Sequence, residues 1–227
     1  MESVISMKII ARIQSDFPEK FGIPRQAGLA PSLRATVVFE PEYRNPDALR
    51  GVSDFSHLWL IWQFSQAVRE DWSPTVRPPR LGGNTRMGVF ATRSPFRPNA
   101  IGLSCVELIA VRETAEYGTV LEVAGADLLD GTPILDIKPY IPYADARPDA
   151  RGGFTDQAGD FLLTVDFQES LLQMVDITHR DALLEVLSHD PRPSYQEDPN
   201  RIYGMRFGTH NIRFRVADGI LTVVDVE

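Results

Sequence analysis

The chain has 227 residues and a formal net charge of −8, with 43% hydrophobic and 24% charged residues, proportions ordinary for a soluble globular protein. That length allows one full domain plus a small second one, with a core large enough to need no disulfide or metal staple. The acidic balance argues against a general nucleic-acid coat. The single cysteine, Cys105, has no intrachain partner, and the four histidines (His57, His179, His189, His210) are scattered without zinc-ligand spacing. The N-terminal stretch MESVISMKII has no basic region followed by a long apolar one, and the longest apolar run, residues 58–62, is far too short to cross a bilayer. The expectation is a cytoplasmic protein, with no metal and no membrane association.

In chain order, residues 6–13, 35–39 (ATVVF) and 57–64 (HLWLIWQF) read as strands, the last one buried. Residues 88–92, 103–111, 119–124 and 134–137 follow as further short strands. The turn-forming stretches PEYRNPD, RPPRLGGN, SPFRPN and LLDGTP separate them. Many short strands divided in this way predict a mainly β protein built on a small, closed or nearly closed barrel. Residues 142–159 (PYADARPDARGGFTDQAG) are rich in Pro, Gly, Asp and Ala and read as a linker. Beyond it, a strand at 161–167, a helix within 170–188 stopped by DPRP, and strands at 202–205, 211–216 and 220–224 predict a small α+β unit. The predicted division is 1–145 for the barrel, 146–160 for the linker and 161–227 for the C-terminal unit. With no G-x-G-x-x-G after a strand, no P-loop and no G-x-S-x-G, the sequence lacks a Rossmann or nucleotide-triphosphate signal.

The charges are not spread evenly. From Trp72 to Val106 there is no Asp or Glu, yet there are five arginines: Arg77, Arg80, Arg86, Arg93 and Arg97. Residues 199–217 also lack acids and carry Arg201, Arg206, Arg213, Arg215 and His210. Two basic stretches in an acidic chain point to a local anion site; solvated surface arginines are the competing reading. Within the first stretch lies TRSPFRPNAIG. Pro95 and Pro98 fix the backbone, and the Asn99 side chain is suited to closing a turn. Such a loop holds two planar guanidinium forks for carboxylate or phosphate with little entropy left to lose. FGIPRQAGL offers Arg25 and Gln26 beside Pro24. In GADLLDGTPILDIKPYIPYAD, residues Asp136, Lys138 and Tyr140 alternate along one strand, so they share a face and form an acid/base set, with a salt-bridged strand face as the alternative.

Taken together, FPEKFGIPRQAGL, GVSDFSHLWLIWQF, RPPRLGGNTRMGVFATRSPFRPNAIGLS and DLLDGTPILDIKPYIPYAD resemble, in the same order, the TrmO (TsaA/YaeB) family, as do the C-terminal DPRPSY and NIRFRV. The resemblance covers nearly the whole chain apart from the linker. It implies a tRNA methyltransferase that uses S-adenosyl-L-methionine to methylate N6 of N6-threonylcarbamoyladenosine at position 37. It also implies a non-Rossmann β-barrel and a homodimer with the cofactor near the subunit interface.

Carried over residue by residue, Pro24, Arg25 and Gln26 match the family's first cofactor-contacting segment, and Ser65 and Gln66 the second. Arg93 and Leu103 match the third, and Ala126, Asp127, Leu128, Leu129 and Asp130 the fourth. Relatives often have histidine where this chain has Ser65. The expected proton-handling candidates are Asp136, Lys138 and Tyr140. Arg86, Arg97, Asn99, Arg206, Arg213 and Arg215 are the expected contacts to the substrate and the anticodon stem-loop. Two other readings stay open at this point: methylation of a small carboxylate-bearing molecule, and a non-catalytic barrel that binds RNA or another anion.

Overall fold

The structure is a computed structural model. It describes residues 4–227 except 70, 79–80, 82–84, 158–161, 194–195 and 197. Arg80, Phe161, Ser194 and Tyr195, singled out in the sequence, lie outside the described residues.

Six strands close into a barrel in the order β1–β2–β7–β6–β3–β8. They are β1 (Ala11–Gln14), β2 (Arg34–Phe39), β3 (His57–Gln63), β6 (Ile101–Thr114), β7 (Gly118–Ala124) and β8 (Pro133–Pro139). A two-stranded ribbon, β4 (Thr75–Val76) with β5 (Met87–Gly88), sits in the connection between β3 and β6. The alternation expected of a one-sided strand is plain in β3, where Leu58, Leu60 and Trp62 are buried and their neighbours are not. These three pack with Ile13, Val37, Phe39, Leu121, Val123 and Ile134 inside the ring. The long strand β6 serves two partners. Its first half pairs with β3 and its second with β7, with a register shift between Leu108 and Ala110 where it bends.

The second core lies in the C-terminal unit. Strands β9 (Thr164–Asp166), β10 (Tyr203–Phe207), β11 (His210–Ala217) and β12 (Ile220–Val226) form a sheet in the order β10–β11–β12–β9. The helix α3 (Ile177–Ser188) buries Ala182, Leu183, Val186 and Leu187 in the same core as that sheet. Three residues of this core come from the other end of the sequence: Phe17, Ala30 and Leu33, from the excursion between β1 and β2. Phe21 stacks beside Tyr203 and Phe214, each ring centroid 6.4 Å away.

Four expectations are corrected or refined. Residues 88–92 are not a strand. Only Met87–Gly88 pairs, and Val89–Ala91 turns as a 3-10 helix closed by the Thr92 amide donating to the Val89 carbonyl at 3.2 Å. The helix expected within 170–188 is α3, which starts where Asp176 caps it by accepting from the Thr178 amide at 2.8 Å; a separate short helix, α2 (Glu169–Leu172), precedes it. The stretch read as a linker begins with a short helix, α1 (Pro142–Asp145), held to β3 through Trp59 Nε1 donating to Asp145 at 3.0 Å. It also contains a 3-10 helix, Gly153–Gln157. The first strand covers only Ala11–Gln14, the residues that find partners on β2 and β8.

Candidate active site

A cavity of about 830 Å³ opens where the ends of β3 and β6 meet three loops. Its floor is Trp62. The ring lies flat against β6 because residue 102 is glycine: a Cβ there would sit 2.3 Å from the indole. The indole Nε1 donates to Ser104 Oγ at 2.9 Å, and Ser104 donates to Asp127 Oδ1 at 2.5 Å. These three residues come from β3, from β6 and from the turn after β7, and ring closure alone brings them together. Asp127 is half-buried, and burial pushes its carboxyl above the usual carboxylate range. The bonds from Ser104 and from backbone amides, and the charge of Arg93, oppose that rise without cancelling it.

One wall is the segment after β1. Gln26 accepts a hydrogen bond from Arg93 and donates to the Arg25 carbonyl at 2.5 Å. Arg25 donates to the carbonyls of Asp190 and Arg192, each at 3.3 Å, so this wall is tied to the chain beyond α3. A second wall is the stiff arginine loop, joined to the first through Arg93, and its turns are self-made. Thr92 Oγ1 accepts from the Ser94 amide at 3.3 Å, Ser94 Oγ accepts from the Phe96 amide at 3.2 Å, and Arg97 donates to the Thr92 carbonyl at 3.1 Å.

Of the expected cofactor residues, Pro24, Arg25, Gln26, Ser65, Gln66, Arg93, Leu103, Asp127 and Leu129 line the cavity, joined by Arg97 and Asn99. Ala126 and Leu128 are buried in the barrel core behind it. Asp130 is turned away from it, accepting from the Ser15 amide at 3.0 Å and so fixing the 126–131 turn to the chain leaving β1.

The structure does not bring Asp136, Lys138 and Tyr140 to this cavity. Asp136 and Lys138 pair with each other at 2.9 Å in an exposed ion pair on β8, and the Tyr140 ring lies beside His57 and Trp59. Their alternation does place them on one side of β8, but not the side that meets the cavity. Arg86 donates to Thr75 Oγ1 at 3.0 Å on the β4–β5 ribbon. Arg206, Arg213 and Arg215 lie on the C-terminal sheet, where Arg213 pairs with Glu227 at 3.1 Å. Trp62, Ser104, Lys20 and the rings of Phe90 and Phe96 were not anticipated. Trp62 reads as core in sequence, and only its register opposite Gly102 shows one face to be open. Among the described residues, no group of three or more His, Cys, Asp or Glu is placed to hold a metal ion.

The family model for the tRNA-methyltransferase O N-terminal domain matches residues 12–146, and that for the TrmO C-terminal domain matches residues 160–227. A tRNA (adenine(37)-N6)-methyltransferase of Escherichia coli is 42% identical over 226 residues, with 96% of each chain covered. A Pseudomonas aeruginosa protein whose name includes "S-adenosylmethionine-dependent methyltransferase" is 42% identical over 229 residues, with 97% of each chain covered. The crystal structure of TrmO from Pseudomonas aeruginosa superimposes with a TM-score of 0.78 at 36% identity, covering 99% of this chain and 100% of that one.

Proposed function

The chain belongs to the TrmO family, and from that premise we propose that it methylates N6 of adenosine 37 in tRNA with S-adenosyl-L-methionine, acting on the base once it carries the threonylcarbamoyl group. The methyltransferase activity and its cofactor follow the two relatives compared above. The observation that carries the reading is the cavity itself: an apolar floor with one desolvated carboxylate, flanked by Arg93 and Arg97, on the segments that match the family.

These residues fit the cofactor. Trp62, Leu103 and Leu129 offer the apolar surface an adenine needs, and Arg93 with Gln26 offers donors for an amino-acid carboxylate. The cofactor supplies an electrophilic methyl group on a sulfonium. The chain's contribution is alignment, which is worth several kcal/mol in an in-line displacement, and a place for the proton that N6 must lose as its bond to carbon forms. Asp127 is the group in the cavity suited to accept that proton. Its raised pKa makes it a stronger base than an exposed carboxylate, and Ser104 fixes its orientation. Arg97 is left facing the cavity for the threonyl carboxylate or a flanking phosphate.

We read residues 1–145 as the catalytic barrel and 161–227 as a unit that holds one wall of its cavity. The exposed apolar face of β6, with Ile101, Leu103 and Ile109, supports a homodimer.

The test is nucleoside mass spectrometry after incubating the protein with S-adenosylmethionine and tRNA. One methyl group gained on threonylcarbamoyladenosine, and none on tRNA lacking that modification, is the expected result. Methylation of unmodified adenosine 37 would correct the substrate. No methylation of either tRNA, with cofactor binding intact, would overturn the reading.

A further inference from the structure

Beside the cavity the protein exposes aromatic rings that its own fold does not use. Phe90 is 72% exposed and Trp72 52% exposed, and their rings lie against each other with centroids 6.1 Å apart and planes 32° apart. Phe96, 40% exposed, carries the Arg69 guanidinium 3.9 Å above its ring centroid. Phe90 and Phe96 are also part of the cavity lining. Large rings left in water forfeit the burial that gives aromatic residues most of their worth, so a cluster of them at the mouth of a site calls for a partner.

We propose that Trp72, Phe90 and the Arg69–Phe96 pair form a stacking platform for the unpaired bases next to the target adenosine in the tRNA anticodon loop. The inference rests on the tRNA reading above and goes further in naming where the loop bases lie. Charge selects the partner. Phe90 and Phe96 lie in residues 72–106, which contain no Asp or Glu and five arginines in a chain of net charge −8, and Arg93 and Arg97 line the same cavity as these rings; Glu70 and Asp71 are the acids that adjoin Trp72 in sequence. Every base has a π-face, and unpaired RNA loops are recognised by stacking bases on aromatic rings and on guanidinium planes. The rim supplies both kinds of surface, and Phe96 stands on the loop stiffened by Pro95, Pro98 and its own turns. A second copy of the chain is a poorer occupant: a two-fold contact centred on this patch would set arginine against arginine.

The experiment is direct binding of a fluorescently labelled anticodon stem-loop at fixed salt, read by anisotropy, which does not depend on methylation. Trp72→Ala and Phe90→Ala are each expected to weaken binding about tenfold, the scale of one lost base–aromatic stack. Trp72→Phe and Phe90→Tyr, which keep a ring, are expected to bind within about twofold of the unchanged protein, with the same salt slope in all four. Thermal unfolding of each variant checks that the fold survives. Alanine variants that bind the stem-loop as well as the unchanged protein would overturn the platform. So would a loss of binding that tracks dissociation of an assembly in sedimentation, which would assign the rings to a subunit contact. If the unchanged protein methylates no tRNA but the alanine variants still lose stem-loop binding, the platform stands and the catalytic reading falls.

Discussion

The two walls of the cavity are built in opposite ways. The wall between β1 and β2, residues 15–33, is fastened from outside. Phe17, Ala30 and Leu33 are buried in the C-terminal core, Gly208 donates its amide to the Asp16 carbonyl at 2.7 Å, and Ser32 donates through both its amide and its hydroxyl to Glu185 at 2.8 and 2.7 Å. The wall at residues 92–100 is fastened mainly to itself, through prolines and side-chain turns; Phe96 and Arg93 are exposed on it, with Arg93 reaching Gln26 on the first wall. A wall held by a remote core keeps its geometry whatever enters the cavity. A stiff but solvent-facing wall is suited to a large partner that arrives from outside. On the function proposed above, the first wall together with Arg93 orients the cofactor, and the rest of the second wall meets the nucleic acid.

The hardest blow to this contrast falls on the braced wall. Phe17 is fully buried, edge-on to Phe207 with centroids 5.6 Å apart. Phe17→Ala is expected to cost about 3–5 kcal/mol in urea unfolding, the usual range for emptying such a site. At temperatures where the variant stays folded, cofactor affinity by calorimetry should fall while stem-loop affinity holds. Cofactor affinity that stays unchanged would mean the C-terminal core does not hold the wall in place.

A milder break is Glu185→Ala. It leaves the part-buried Ser32 amide and hydroxyl without their acceptor, an expected loss of about 1–3 kcal/mol in the same unfolding measurement. Glu185→Gln keeps one acceptor oxygen and should lose less. Equal losses in the two variants would show that charge, and not the paired hydrogen bonds, does the fastening.

The same contrast explains what was legible in the sequence. The arginine wall lies in one continuous segment, so its prolines, its arginines and its lack of acids could be read directly from TRSPFRPNAIG. Strands β2, β3 and β7 were legible because alternation or β-branched runs are local signals. The brace was not, because Phe17 and Phe207 meet only through the packing of two units far apart in sequence. Nor was the set of Trp62, Ser104 and Asp127, whose members stand on three elements joined by barrel closure. Asp136, Lys138 and Tyr140 show the reverse case. Strand periodicity identifies which residues share a face, but only the closed ring tells which face looks into the cavity.

The smallest expected effect on stability concerns the residue that both walls approach. The Ser104 hydroxyl, the charge of Arg93 and the Ala27 amide all favour the ionised form of Asp127, yet burial still raises its pKa. A carboxyl with a raised folded-state pKa keeps its proton in the native protein over a pH window in which the unfolded chain has already lost it. Stability therefore falls as pH rises through that window, from the ordinary carboxylate value to the raised one, and stays lower above it. Asparagine at this position has nothing to ionise. Asp127→Asn is therefore expected to match the unchanged protein's melting temperature near pH 4, to melt higher at pH 7, and to lose methyl transfer. In the unchanged protein the rate should rise with pH as the carboxyl gives up its proton. A variant that melts lower at every pH would show that Ser104, the Ala27 amide and Arg93 together outweigh desolvation. The two walls would then converge on a carboxylate they stabilise, and Asp127 would be a fixed anion suited to the cofactor's sulfonium more than to the N6 proton.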